Sequence, residues 1–392
     1  MVTLLEARVL PDADQLSQAR GKIDNYVDSI AANPDHRDGA FPYYLFHEPG
    51  EPIRGTILLF HGFSARPHQM SRLASYLFLN GFNVYQASLV GHPFRIPDKY
   101  WPQVDLKPEI AGPLREKIDR DPVLQKFLSG LAAADGKAPS RPSPLQMLGL
   151  IARLQRIEPR TLDIILAIER ERDPDFDRYF LSSHMNYLHD AQQRLSELDA
   201  MPGPIYTVGL SVGGAVALAL AAARPDRIQK VVAYAPLLEV YGEERERYVN
   251  IAGPLDIREM GWDDLQFPLG CFTATNRFGA FVRSRGNTRV LKQVPTLFVL
   301  TENEDAADIK TNEKFSRSLG REGQGHYLYR YPTSDLVPHP MVDPEEVSQG
   351  MSNQFWQGLY QETFRFLTET QFNSANMDTL EQDPNLPQVP PV

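Results

Sequence analysis

The 392-residue chain has a single cysteine, Cys271, so no intrachain disulfide can form. That scarcity fits a reducing compartment. Basic residues are also short: 40 Lys and Arg face 50 Asp and Glu, a formal net charge of -10, and no local basic run offsets it. Phosphate backbones are bound by basic faces, so nucleic acid is excluded as an expected partner. The longest apolar run, Ala215–Ala223, falls far below the ~20 residues that span a bilayer. The opening MVTLLEARVLPDAD has no basic leader before an apolar stretch, so no signal peptide is expected. A phosphate loop of the G-x-x-x-x-G-K type and a metal-ligand cluster are missing as well, so neither cofactor nor metal is expected. These absences describe a soluble, cytoplasmic protein without a transmembrane segment, and leave homo-oligomerisation open.

What is present is an ordinary globular composition, 42% hydrophobic and 23% charged. Residues 12–32 have the spacing of a surface helix, stopped by Asn33-Pro34. FPYYLFH (41–47) is strand-like, and GTILLF (55–60) is a continuous apolar run, as expected of a strand buried on both faces. A helix over 68–80, the strand NVYQA (83–87), the strand IYTVGL (205–210) and an Ala-rich helix over 212–223 follow. Further buried strands are expected at 231–234 and at TLFVL (296–300). Strand alternating with helix predicts an α/β fold: a mostly parallel central sheet with helices on both faces.

Two stretches interrupt that rhythm. Residues 94–187 carry helical patterns between Pro-rich joints with almost no strand signal, and 237–293 is irregular and aromatic. An insertion of this length is read as a functional lid. The expected division is therefore a core of 1–93 and 188–372, a helical cap of 94–187 and a disordered polar, Pro-rich tail of 373–392.

The chemistry centres on Gly209-Leu210-Ser211-Val212-Gly213, a G-x-S-x-G placed between a buried strand and a helix. A nucleophile elbow holds its serine in strained backbone geometry at such a turn, and glycines two residues either side give it room. The helix that follows directs its positive end at a developing oxyanion. The competing role for Ser211 is a plain helix N-cap. Directly after GTILLF comes His61-Gly62-Phe63-Ser64, a loop placed to supply one oxyanion donor, with the other from the residue after the nucleophile. That assigns the donors to the N–H groups of Phe63 and Val212.

The HGFS loop, SLVGH (88–92), GLSVGG (209–214) and ARPDRIQKVVAYAP (223–236) together resemble the α/β-hydrolase superfamily. The likeness is to its monoacylglycerol lipase, carboxylesterase and serine aminopeptidase-like branch, over roughly 55–92 and 205–340. The resemblance implies structural roles for His61 and His92. It also places the base in a loop after the last strand, in the chain order serine, acid, histidine. His326 lies in the strand-like GHYLYRYP, whereas His339 lies in the loop DLVPHP just after it, and His339 is the expected base. The acid is expected after TLFVL, within TENEDAAD (301–308), where the sequence departs from the family's usual Asp spacing. Glu304 is favoured, with Asp305 as the alternative. Glu302 and Asp308 read as solvated loop carboxylates.

Leu145, Leu148, Ile151, Ile164, Ile165 and Ile168 fall at helical spacing and are expected to pack the cap. Trp101, Phe176, Phe180, Phe267 and Phe272 are candidates for lining an acyl pocket. The reading is a serine hydrolase acting on a small-molecule carboxylic ester, with a lipophilic acyl group. Thioesterase, amidase or peptidase, and acyltransferase activity would use the same triad, and a non-catalytic binding protein is the rival of a different kind.

Overall fold

The computed structural model describes residues 8–126, 143–169, 174–242, 245–246, 249–250, 253, 259–262 and 265–378. Its strands, in chain order, are β1 (Tyr43–Leu45), β2 (Thr56–Phe60), β3 (Asn83–Ala87), β4 (Val104–Leu106), β5 (Phe180–Ser182), β6 (Ile205–Leu210), β7 (Ile228–Tyr234), β8 (Glu259–Trp262), β9 (Leu265–Pro268), β10 (Thr296–Thr301) and β11 (His326–Tyr331). The chain divides into two compact units, one of residues 1–95, 186–241 and 278–392, the other of 96–185 and 242–277.

The first unit is built on a seven-stranded sheet in the order β1-β3-β2-β6-β7-β10-β11. All neighbours are parallel except β1, which runs antiparallel to β3. Every residue of β2, β6 and β10 is buried, which explains why these strands read as unbroken apolar runs instead of alternating ones. The sheet grows from β2 outward to β3 and then restarts on the other side at β6. In open α/β sheets the C-terminal ends of the strands at such a reversal, here between β2 and β6, are where ligands are bound. Phe60 closes β2 opposite Gly209 of β6, so the loops leaving these two strands begin side by side.

Helices Ser71–Leu79 and Trp356–Glu369 cover one face through a single apolar cluster that includes Leu73, Leu77, Ile57, Val84, Tyr360 and Phe366. The helix Val212–Ala223 is buried along nearly its whole length and packs on β6, β7 and the helices Asn186–Glu197 and Arg285–Leu291. This is why it has no polar stripe. The N-terminal helix Ala13–Ala31 starts at a capping box, with the Asp12 carboxylate accepting from the Gln15 N–H and Gln15 returning the bond to Asp12.

The polar tail expected from residue 373 is ordered at its start. The Asn373 N–H donates to Glu362 at 2.7 Å, Met377 is fully buried and the Tyr329 hydroxyl donates to Asp378. Here the buried Glu362 carboxylate, itself in need of donors, overrides the composition of the segment. Residues 379–392, the rest of that expectation, lie outside the described residues.

The second unit has its own core, formed by Val104, Leu106, Ile110, Leu114, Ile164, Phe176, Phe180 and Ala274 among others. It includes 242–277 as well as 96–185, whereas the expected cap took in only the earlier segment. It also holds two short antiparallel pairs, β4 with β5 and β8 with β9, where almost no strand was expected. These strands are only three or four residues long, too short for periodicity to show. Ile164 packs as expected, but Leu145 and Leu148 are 82% and 64% exposed. Ile151 and Ile165 are half-buried, and the Ile168 side chain lies outside the described residues. Among the described residues no helix is long and apolar enough to cross a membrane.

Candidate active site

The turn from β6 into its helix is strained. Ser211 has φ 57° and ψ -120°, a conformation that a residue with a Cβ seldom adopts. Its backbone is held on both sides: the N–H donates to Tyr234 O at 2.9 Å, and its carbonyl accepts from Leu237 N–H and Ala215 N–H. The side chain makes no capping bond to the helix it precedes, which removes the N-cap role. The flanking glycines are required by space. A Cβ on Gly209 would sit 2.2 Å from Gly213 O, and one on Gly213 would sit 2.3 Å from Phe60 O. Ser211 is itself largely buried, and Val212 supplies the first N–H of the helix, one of those without an intrahelical acceptor.

The loop after β2 lies against this turn: a Cβ on Gly62 would be 3.6 Å from the Ser211 Cβ. Gly62 is anchored at both polar groups. Its N–H donates to Gln69 Oε1 at 2.8 Å, and its carbonyl accepts from His61 Nδ1 at 2.8 Å and from Ala65 N–H. The Gly62 carbonyl and the Phe63 N–H belong to one planar trans peptide, so holding the carbonyl fixes the opposite direction for the N–H. The Phe63 donor is thereby oriented by His61. The next residue, Ser64, has φ 60°, and its carbonyl accepts from Arg37 Nη1 at 2.8 Å.

His61 is fully engaged. With Nδ1 donating to Gly62 O, its Nε2 accepts the Leu89 N–H at 3.0 Å, which defines a neutral tautomer. Burial agrees, pushing its pKa down to about 4. His92 is buried edge-on to both His61 and Phe63, its Nδ1 is 3.0 Å from Val90 O, and burial holds its pKa well below the usual 6.5. His326 opens β11, buried, with Nε2 at 3.2 Å from Lys292 O.

β10 and β11 run parallel, and the loops that leave them stay paired through a bridge between Asn303 and Pro338. One residue further along each loop, Glu304 and His339 meet, with Oε1 2.6 Å from Nδ1. The same Glu304 oxygen accepts the N–H groups of Ala306 and Ala307, each at 2.9 Å. Burial opposes charge on His339, but the carboxylates of Glu304, Asp305 and Glu346 outweigh it and hold its pKa above the usual 6.5. Asp305 turns elsewhere, accepting from Gln349 Nε2 at 2.6 Å. The two outer carboxylates of this loop are not simply solvated. Asp308 caps the helix Ile309–Leu319 through the Thr311 N–H, and Glu302 binds Thr333 and Arg330.

The aromatic residues expected around an acyl pocket are mostly core. Trp101 stacks on Phe267 and Phe176 on Phe180, all four fully buried within the second unit, and Phe272 is half-buried against Phe267. Gln69, Glu346 and Arg37, which touch the site's loops, carry no local motif that would single them out in the sequence.

The sheet order and the strained serine at a strand-to-helix turn are those of the α/β-hydrolase fold. No protein-family model matches the chain, and no curated protein matches it in sequence. In structure it is similar to a metagenome-derived lipolytic enzyme of the LipS and LipT pair, with 13% identity, 84% of this chain and 98% of that chain covered, and a TM-score of 0.49. It is similar to a monoglyceride lipase from Saccharomyces cerevisiae, with 15% identity, 86% and 94% covered, and a TM-score of 0.48. A monoacylglycerol lipase from Paleococcus ferrophilus is also similar, with 13% identity, 84% and 99% covered, and a TM-score of 0.45.

Proposed function

We propose that this chain is a serine hydrolase that cleaves carboxylic esters through an acyl-enzyme, with Ser211 as nucleophile, His339 as general base and Glu304 as the acid. The observation that carries the reading is the Ser211 backbone at φ 57°, cradled by Gly209 and Gly213, with a hydroxyl that does not cap its helix. Strain of this kind persists only where the surroundings enforce it, and it gathers at reactive centres.

In the proposed cycle His339 takes the Ser211 proton as Oγ attacks the ester carbonyl. Glu304 holds the imidazole in one tautomer and stabilises the imidazolium that forms. The N–H groups of Phe63 and Val212 receive the oxyanion. The imidazolium then protonates the leaving alcohol, and water, activated by the same histidine, releases the acid. In this proposal the acyl group is lipophilic.

The test is ester turnover by Ser211→Ala on a series of p-nitrophenyl esters of increasing chain length. Turnover is expected to vanish in the variant while its circular dichroism is unchanged, and in the wild type to rise with acyl length. Wild-type turnover in the Ser211→Ala variant would refute the assignment.

A further inference from the structure

Gln69 and Glu346 are 277 residues apart in sequence, yet the Gln69 amide donates from Nε2 to both Glu346 oxygens, at 3.1 and 3.0 Å. The other end of that amide accepts the Gly62 N–H at 2.8 Å. Its orientation is unambiguous, because only the oxygen can accept from an N–H and only the nitrogen can donate to a carboxylate. A Cβ on Gly62 would lie 3.1 Å from Gln69 Oε1 and 3.6 Å from the Ser211 Cβ, so the amide meets the loop beside the nucleophile. Glu346 follows His339 on the loop between β11 and the helix Trp356–Glu369.

We propose that Gln69 and Glu346 form a positioning strap that ties the loop carrying the Phe63 oxyanion donor to the loop carrying His339. The inference rests on the serine-hydrolase reading and adds two residues that touch no reacting atom. The Gly62 N–H, in the peptide before the one that carries the Phe63 N–H, would be left without its acceptor if the strap were cut, and the glycine joining the two peptides would lose one of its anchors. A carboxylate at the far end polarises the amide and strengthens its oxygen as an acceptor. Glu346 is also one of the anions that favour protonated His339. Around it stand Asp343 on its own loop and Arg72 from the helix Ser71–Leu79, which is paired with Asp343 at 3.6 Å and with Glu345.

The strap is tested by reversing it. Gln69→Glu alone sets two carboxylates against each other and should lower kcat roughly 10- to 100-fold, with KM little changed, as expected of displaced catalytic groups. Adding Glu346→Gln sets an amide donor opposite the carboxylate that accepts the Gly62 N–H, at the wild-type net charge. The doubly swapped enzyme should therefore recover most of the lost kcat. Glu346→Gln alone removes a negative charge near His339 and should move the acid limb of the kcat/KM profile to lower pH. A swap no more active than Gln69→Glu, together with an unmoved acid limb, would overturn the strap. Should Gln69→Glu fail to fold, Gln69→Met removes the acceptor without adding charge, and full kcat in that variant overturns it equally. A wild type that neither turns over esters nor labels at Ser211 defeats the hydrolase reading and the strap with it. An active wild type with indifferent variants defeats the strap alone.

Discussion

Glu304 Oε1 lies 2.6 Å from His339 Nδ1, and the N–H groups of Ala306 and Ala307 hold that same oxygen in place. Its neighbour Asp305 points to Gln349. The two carboxylates are adjacent in sequence but unequal in position, and substitution should separate them. Glu304→Gln is expected to lower kcat/KM about 10³- to 10⁴-fold by favouring the wrong imidazole tautomer. Asp305→Asn should cost no more than about fivefold, the range of a partly exposed charge acting at a distance. Steady-state kinetics on one ester checks both.

The pH dependence follows from His339. As the proposed base it must be neutral to take the Ser211 proton, and the surrounding carboxylates hold its pKa above 6.5 despite burial. Activity should therefore fall on the acid side with an apparent pKa above 6.5, read from a kcat/KM profile. The sign for stability is opposite. A folded pKa above the unfolded one contributes stability in full below about pH 6.5 and loses it as the pH rises through the folded value. The difference in urea midpoint between wild type and Glu304→Gln should accordingly shrink from pH 6 to pH 9.

Gly213 tests the elbow as a packing problem. A Cβ there would sit 2.3 Å from Phe60 O and 2.4 Å from His61 O, both backbone atoms that cannot move without shifting β2. Gly213→Ala should cost more than about 3 kcal/mol in urea unfolding, or prevent folding. Gly112→Ala, in the helix Pro108–Asp119 with nothing within 4 Å, should instead gain up to about 1 kcal/mol.

A buried charge cluster away from the site predicts a second pH effect. Arg194 Nη1 pairs with Glu197 at 2.7 Å, and Arg194 lies 3.8 Å from Asp190, with its guanidinium stacked on Tyr26. Burial is the chief cause that raises Asp190 to about 6 and Glu197 to about 7, so both increasingly oppose folding as the pH rises from the ordinary carboxylate range to those values. Arg194→Met leaves the two carboxylates without their cation and should cost about 3–5 kcal/mol at pH 8. At pH 5, where both are protonated in the fold, the loss should be clearly smaller. Denaturant titrations at the two pH values check it.

The strand-to-helix turn at Ser211 is legible in the sequence because local geometry dictates its residues: a strained serine needs Gly209 and Gly213, and buried strands need apolar runs. The acid is not legible to the residue, because Glu304 and Asp305 differ by one step in a loop whose turn decides which carboxylate reaches the histidine. Helical spacing marks Leu145 and Leu148 as an apolar face but does not say whether anything covers it, and here they stand exposed. The order of residues 373–378 depends on the buried Glu362, and the Gln69–Glu346 contact spans 277 residues. Contacts of that range leave no periodic trace in either segment.

Whether Ser211 is an activated nucleophile is tested by reaction of the intact 392-residue chain with a fluorophosphonate, followed by peptide mass spectrometry. Such reagents acquire a serine only where a base has activated it. One adduct per chain is expected, on Ser211, lost in His339→Ala. A folded wild-type protein with no adduct at Ser211, or with one that persists undiminished in His339→Ala, would contradict it.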